Sequence, residues 1–147
     1  MAQPSPLTAE DRTAIVGLIA AQNHLLDDWD IEGFVSNFVE DGVFDTALGH
    51  CEGQHQMRRH FERLGARPRT DHGRGRQVGG GSAIEGDAER CTVRTNSFRV
   101  RESEQGELSI GGFSEYQDVL VKINGRWFFN QRHVEDILGK RGEQANR

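Results

Sequence analysis

Residues 25–44 read LLDDWDIEGFVSNFVEDGVF, and their hydrophobic pattern decides the fold. The apolar end of one helix runs into Asp27-Asp28. Ile31, Phe34, Val35 and Phe38 then recur at the spacing of a short second helix, and Asp41-Gly42 turns the chain into a strand. Two helices and a strand therefore converge on Asp27. A carboxylate at such a junction either caps local backbone or works on a ligand, and the rest of the chain has to separate the two.

Upstream, Thr8 is the expected N-cap and Asp11, three residues on, completes a variant capping box. Ile15, Leu18, Ile19, Gln22 and Leu26 follow on one helical face, so a helix is expected over residues 8–28. Gln22 breaks that stripe with an amide. It is either satisfied by nearby backbone or reaches into a polar pocket, which makes it a candidate substrate-binding residue. Downstream, a strand is expected near Val43 to Ala47, then a turn at Gly49 to Gly53 and a third helix over Gln54 to Leu64 closed by Gly65. His60 shares an apolar face with Met57, Phe61 and Leu64 and reads as a core or rim histidine, while His50 and His55 read as solvated.

The second half carries β-type runs at residues 88–101, 108–123 and 126–136. Asn124-Gly125 between the last two is a hairpin turn, because both of its positions need positive φ. An antiparallel meander follows. The stretch 72–85, HGRGRQVGGGSAIE, is expected to add a strand whose three consecutive glycines mark a bulge or a close backbone approach. Helices first and a long sheet afterwards make an α+β fold. A single domain over residues 1–137 and a mobile polar tail over 138–147 are expected, with no internal repeat.

A chain of 147 residues buries roughly 70% of its unfolded surface, enough for a core with an internal cavity. With 35% hydrophobic and 28% charged residues it is globular rather than disordered. The net charge of −5 argues against nucleic acid as a partner, and the basic runs at Arg58-Arg59 and from Arg67 to Arg76 read as solvated surface. Cys51 and Cys91 form no CxxC, and GGGS lacks the ending of a phosphate loop. No metal and no cofactor are therefore expected. The start, MAQPSPLTAEDR, has no leader-like pattern and no apolar run reaches membrane-span length, so a cytoplasmic protein without a membrane partner is the expectation.

The order of LLDDWD, FVEDGVF, Gly53 before an amphipathic helix with Phe61, Asp71-His72 before the sheet, IEGDAE, and EYQDVLVKINGRWFFNQRHV resembles the SnoaL-like branch of the nuclear transport factor 2-like superfamily. The resemblance covers about residues 8–137. It implies a cone-shaped, cystatin-like fold in which a curved sheet wraps N-terminal helices around a pocket. Scytalone dehydratase, hexachlorocyclohexane dehydrochlorinase and bile acid 7α-dehydratase members use an Asp at the end of the first helix with a His at the start of the following sheet. Asp27 and His72 stand at the matching positions, so the resemblance implies a His-Asp catalytic dyad. Two positions depart from the pattern: Gln22 stands where the dehydratases commonly carry Tyr, and Gln77 where many relatives carry Asn.

Such a dyad has a coherent chemistry. Imidazole near neutral pH can take a proton from an acidic C–H, and a carboxylate accepting its N–H fixes the tautomer and stabilises the cation formed. Loss of a leaving group next to the carbanion gives an alkene; return of the proton elsewhere gives an isomer. The expected function is a cofactor-independent lyase of dehydratase type, or an isomerase, acting on a small, mostly apolar oxygenated ring or aryl compound. Arg132, Tyr116 and Asn96 are secondary substrate-binding candidates. Strict alternation puts Arg132 in phase with Phe128 and Asn130, and Tyr116 could supply the hydroxyl that position 22 lacks. The alternative is a non-catalytic ligand-binding or assembly module, as in the β subunit of ring-hydroxylating dioxygenases. A homo-oligomer, dimer or trimer, is expected in either case.

Overall fold

The computed structural model describes residues 3–65 and 75–139. Three helices come first, α1 (Ala9–Asp27), α2 (Ile31–Ser36) and α3 (Gln54–Gly65), with the hairpin β1 (Phe38–Thr46) and β2 (Gly49–Glu52) between the second and third. β3 (Arg76–Gly86), β4 (Arg90–Glu102), β5 (Leu108–Ile123) and β6 (Arg126–Leu138) complete one six-stranded sheet of order β2-β1-β6-β5-β4-β3. The expected α+β, cystatin-like fold is what forms. His72 and most of the 138–147 tail lie outside the described residues.

Local chemistry sets the elements. The Thr8 hydroxyl accepts the Asp11 N–H at 3.0 Å, and the Asp11 carboxylate accepts the Thr8 N–H at 3.0 Å, closing the capping box. The same carboxylate takes Lys122 Nζ at 2.8 Å and the Trp127 indole N–H at 3.2 Å, pinning the start of α1 to the β5–β6 hairpin. Lys122, then the Thr8 N–H, hold the Asp11 carboxyl well below the usual carboxylate range. Asp30 caps α2, its side chain accepting the Gly33 N–H at 3.0 Å, so Asp27 is not needed there. Asn124 and Gly125 take φ of 50° and 79°, as a two-residue hairpin between β5 and β6 requires.

Two expectations about the sheet are corrected. Residues 49–52, read as turn, form β2, because Ala47-Leu48 alone reverse the chain and Thr46 pairs with Gly49. The sheet is mixed rather than wholly antiparallel: β1 runs parallel to β6, with Phe38 opposite Phe129 and Phe44 opposite Arg132. The bulge expected at the glycine run is present as a register shift between Gly79 and Ser82 against β4.

The helices pack on one face of the sheet over a core of Ile15, Ile19, Phe34, Val35, Phe38, Met57, Leu120 and Phe129. Phe34 stands edge-on to Phe61 and Phe44 with centroids 5.3 and 5.5 Å away, and Phe44 stacks on Phe61 at 5.8 Å. Arg58 reaches across from α3 to fork onto Glu32 of α2 at 2.8 and 2.9 Å, so this residue of the expected solvated basic run ties two helices together. No helix among the described residues is long and apolar enough to cross a membrane.

Candidate functional site

A cavity of about 310 Å³ opens between the helices and the concave face of the sheet. Trp29, Phe34, Phe44 and Phe61 form its apolar wall, continuous with the aromatic core. The opposite wall is polar, built from Asn23, Gln77, Tyr116 and Arg132. An apolar pocket with a few converging polar groups is the usual form of a small-molecule site.

Asp27 stands just behind this wall at the end of α1, buried. Both of its oxygens accept the Gln77 backbone N–H, at 3.0 and 3.1 Å, and Arg99 Nη1 lies 3.5 Å from Oδ1. Burial pushes the Asp27 carboxyl above its ordinary pKa, while the Gln77 N–H, Arg99 and Arg76 pull it back down. The carboxylate thus anchors the second residue of β3, the strand that follows residue 72 in the chain. Asp27 is therefore structurally engaged as well as chemically perturbed.

Tyr116 is buried with its hydroxyl at the centre of a polar knot. It accepts from Ser97 Oγ at 2.9 Å and lies 3.0 Å from Gln77 Oε1 and 3.2 Å from Asn23 Oδ1. Arg132 is fully enclosed beside it, its guanidinium 4.2 Å from the Tyr116 ring centroid and 4.6 Å from that of Phe129. Nε and Nη2 fork onto the Asp118 carboxylate at 2.8 and 2.9 Å, which leaves Nη1 as the nitrogen outside the fork. Burial alone would favour the neutral form, but Asp118 outweighs it and the arginine stays charged.

Arg132 reaches the cavity through a phase change that alternation does not foresee. Leu120 pairs with Phe129 but Val119 pairs with Gln131, so Asn130 is an extra residue in β6. Trp127 and Phe129 are buried before this bulge, Arg132 and Val134 after it. Arg132 therefore shares a face with Trp127 and Phe129, not with Phe128 and Asn130.

Two other candidates do not reach the cavity. Gln22 is buried within the core, donating to the Phe34 carbonyl at 3.1 Å and accepting from Asn37 Nδ2 at 2.7 Å, which fastens α1 to α2. Asn96 is exposed on the far face of β4, because Cys91, Val93, Thr95 and Ser97 are the residues that turn inward. His60, read as a core or rim histidine, is buried between Phe44 and Phe61 and also lines the cavity.

Sequence reading missed Asn23 of the polar wall and three larger contributors. Trp29 follows α1 with φ of 58°, a left-handed conformation uncommon for a bulky residue, and presents its indole to the cavity and edge-on to Phe61 at 5.9 Å. Arg99 and Arg101 also line the cavity. Extending the inward phase of Val93 along β4 would have found both.

The family model of the SnoaL-like domain matches residues 7–133. No curated protein matches the sequence. A solved protein of unknown function with a cystatin-like fold from Nostoc punctiforme superposes with a TM-score of 0.77 at 25% identity, covering 90% of this chain and 95% of that one. A protein from Catenulispora acidiphila, solved in complex with S-DNPA, gives 0.73 at 24% identity over 88% and 95%. A scytalone dehydratase-like protein from Novosphingobium aromaticivorans gives 0.72 at 19% identity over 87% and 85%.

Proposed function

The chain belongs to the SnoaL-like domain family, and from that premise we propose that it is a cofactor-independent lyase of dehydratase type, or an isomerase, acting on a small, mostly apolar oxygenated ring or aryl compound. One observation carries the reading. A carboxylate, Asp27, is buried behind the wall of an aromatic cavity and bonded to the strand that follows His72 in the chain, the position the family resemblance marks for a base. The cap of α2, one structural role open to a carboxylate at the end of α1, is filled by Asp30, and Asp27 is instead directed at the start of β3.

In this mechanism His72 removes an acidic C–H and Asp27 orients and stabilises the imidazolium. Arg132 offers Nη1 to the substrate oxygen on which charge develops, because Nε and Nη2 are held by Asp118. The Tyr116 hydroxyl serves as a second polar contact on the same wall. The aromatic wall holds the ring and excludes water. A ligand complex solved in a neighbour of this fold supports a small-molecule site here.

The test screens aryl and alicyclic alcohols and ketones for water loss or double-bond migration. His72→Ala is expected to lower turnover by about 10²–10⁴-fold with folding intact, and Asp27→Asn to cut it too, since an amide cannot stabilise the cation. EDTA should leave the rate unchanged. Activity that persists in both variants would remove the dyad. Inactivity on every substrate together with co-purification of a larger subunit would favour an assembly module. We further propose a homo-oligomer, dimer or trimer, since Leu108, Ile110 and Leu138 are 73%, 69% and 65% exposed. Light scattering on the purified protein reads its size.

A further inference from the structure

α1 ends in a turn that favours glycine, and the chain places tryptophan there. The Trp29 N–H donates to the Leu26 carbonyl at 3.0 Å and the Asp30 N–H to the Leu25 carbonyl at 2.8 Å, the paired bonds of a Schellman cap. The first of these two residues has to turn left-handed, and Trp29 does so with φ of 58°. A Cβ in that region crowds the following carbonyl, which is why glycine, or failing that asparagine, usually stands at this point. Among the described residues that line the cavity, Trp29 is the one with positive φ.

The bonds around the turn leave this strain nowhere to relax. Asp28 donates its N–H to the His24 carbonyl at 2.9 Å, and the Asp30 side chain accepts the Gly33 N–H as the cap of α2. At the last residue of α1, the Asp27 carboxylate holds the Gln77 N–H of β3. Between Asp27 and Asp30 three elements are thus tied down, and the indole carried there is held rather than swinging. It crosses to α3, where it meets Phe61 edge-on with centroids 5.9 Å apart. α3 closes on Gly65, where an added Cβ would sit 3.4 Å from the indole Cζ2 and 3.5 Å from Nε1. The missing side chain lets the helix end come up against the ring. A left-handed backbone kept at a bulky residue, with a glycine opposite, brings one large side chain to the cavity wall at a cost in backbone energy, the mark of a position shaped by function.

Resting on the small-molecule reading above, we infer that Trp29 is the specificity-determining residue of the site, a fixed stop that limits how far an apolar ligand extends between α1 and α3. Phe34, Phe44 and Phe61 pack on one another and belong to the core as much as to the cavity. Trp29 stands half-buried at the margin of that cluster, so it shapes the site without carrying the core. The ligand is then a compact one, whose apolar part ends at the indole.

The experiment is calorimetric titration of the full chain with 4-alkylphenols of increasing chain length, from methyl to octyl. Each methylene taken into an apolar cavity tightens binding about fourfold, until the chain meets an obstacle. In the wild type that rise is expected to break at a definite length. In Trp29→Gly and Trp29→Ala it should continue for several further methylenes, with Trp29→Phe breaking in between and circular dichroism checking that each variant folds. A wild-type rise that runs unbroken to octyl, or a break unmoved in the variants, would overturn the inference. Urea unfolding of the same proteins reads the backbone. Both small variants lack the indole, but only alanine keeps a Cβ in the left-handed turn, so Trp29→Gly should be the more stable of the two. Alanine as stable as glycine would overturn the strained turn on which the stop rests. If no alkylphenol binds the wild type or any variant, the small-molecule reading falls and the stop with it. Binding is measured without turnover, so a break that moves as expected while His72→Ala keeps full activity sustains the stop and removes only the dyad.

Discussion

The Arg132–Asp118 pair is the most exacting contact in the molecule, because two charges are enclosed together between β5 and β6. Removing one partner of such a pair leaves the other charge buried and alone, so Asp118→Asn or Arg132→Met is expected to cost about 3–5 kcal/mol in urea unfolding. Replacing both, as Asp118→Leu with Arg132→Met, should recover most of that loss, since two apolar side chains carry no desolvation cost. The double variant would then be folded yet unable to bind a substrate oxygen through Nη1. A double variant as unstable as the singles would show that packing, not charge, dominates the site. Tyr116→Phe tests the neighbouring knot. Loss of the hydroxyl leaves Ser97, Gln77 and Asn23 short of a partner and should lower stability by about 1–2 kcal/mol, with a clear loss in ligand affinity. Of these residues, the sequence made Asp27, Tyr116 and Arg132 visible. Asp118 stayed hidden because a buried acid is legible only once its arginine is known to face inward, and the bulge at Asn130 decides that.

At the scale of elements, the face of β1, β2 and β6 turned away from the helices carries a chain of titrating groups. Asp45 takes His133 Nδ1 at 2.6 Å on one oxygen and His50 Nδ1 at 3.1 Å on the other, while Glu135 and Glu52 meet the far nitrogens at 2.6 and 3.3 Å. His133 is raised above its ordinary pKa, first by Glu135 and then by Asp45 against its partial burial. His50 is raised by Glu52 and then Asp45, and Asp45 is lowered by His133 and then His50. A raised histidine contributes its stability in full below its unfolded pKa, near 6.5, and loses it as pH climbs through the folded value. A lowered aspartate contributes above its unfolded pKa, near 3.9, and loses it as pH falls. The stability gap between wild type and His133→Gln, measured by chemical denaturation, is therefore expected to be widest from about pH 4 to 6.5 and to narrow on both sides. A gap that grows steadily into alkaline pH would contradict this arrangement. Helix caps, strands and the Asn124-Gly125 hairpin were legible because each is encoded within a few residues. Asn96 misled because Val93 and Phe98 gave opposite phases for β4, and burial follows Val93.

At the scale of the whole molecule, hydrophobic periodicity identified the elements but not their partners, and the unforeseen pairing was the parallel one between β1 and β6. That pairing welds the helix-rich first third of the chain to the end of the meander. The Phe129 N–H donates to the Asn37 carbonyl at 2.8 Å, and Arg126 Nη2 reaches Asn37 Oδ1 at 2.8 Å. It also has a kinetic consequence. β3 to β6 can zip through neighbouring strands, whereas β1 can dock only after a long loop has closed, so its contacts are the slowest to be rewarded during folding. Stopped-flow measurements on Phe38→Leu should then show faster unfolding with a refolding rate close to wild type, the signature of contacts absent from the transition state. If refolding slows in proportion to the lost stability instead, β1 docking belongs to the nucleus. In the expected case the last seam to close is also the first to open. The lifetime of the folded chain would then be set at Phe38 and Phe129, on the core side of the aromatic wall that holds the ligand.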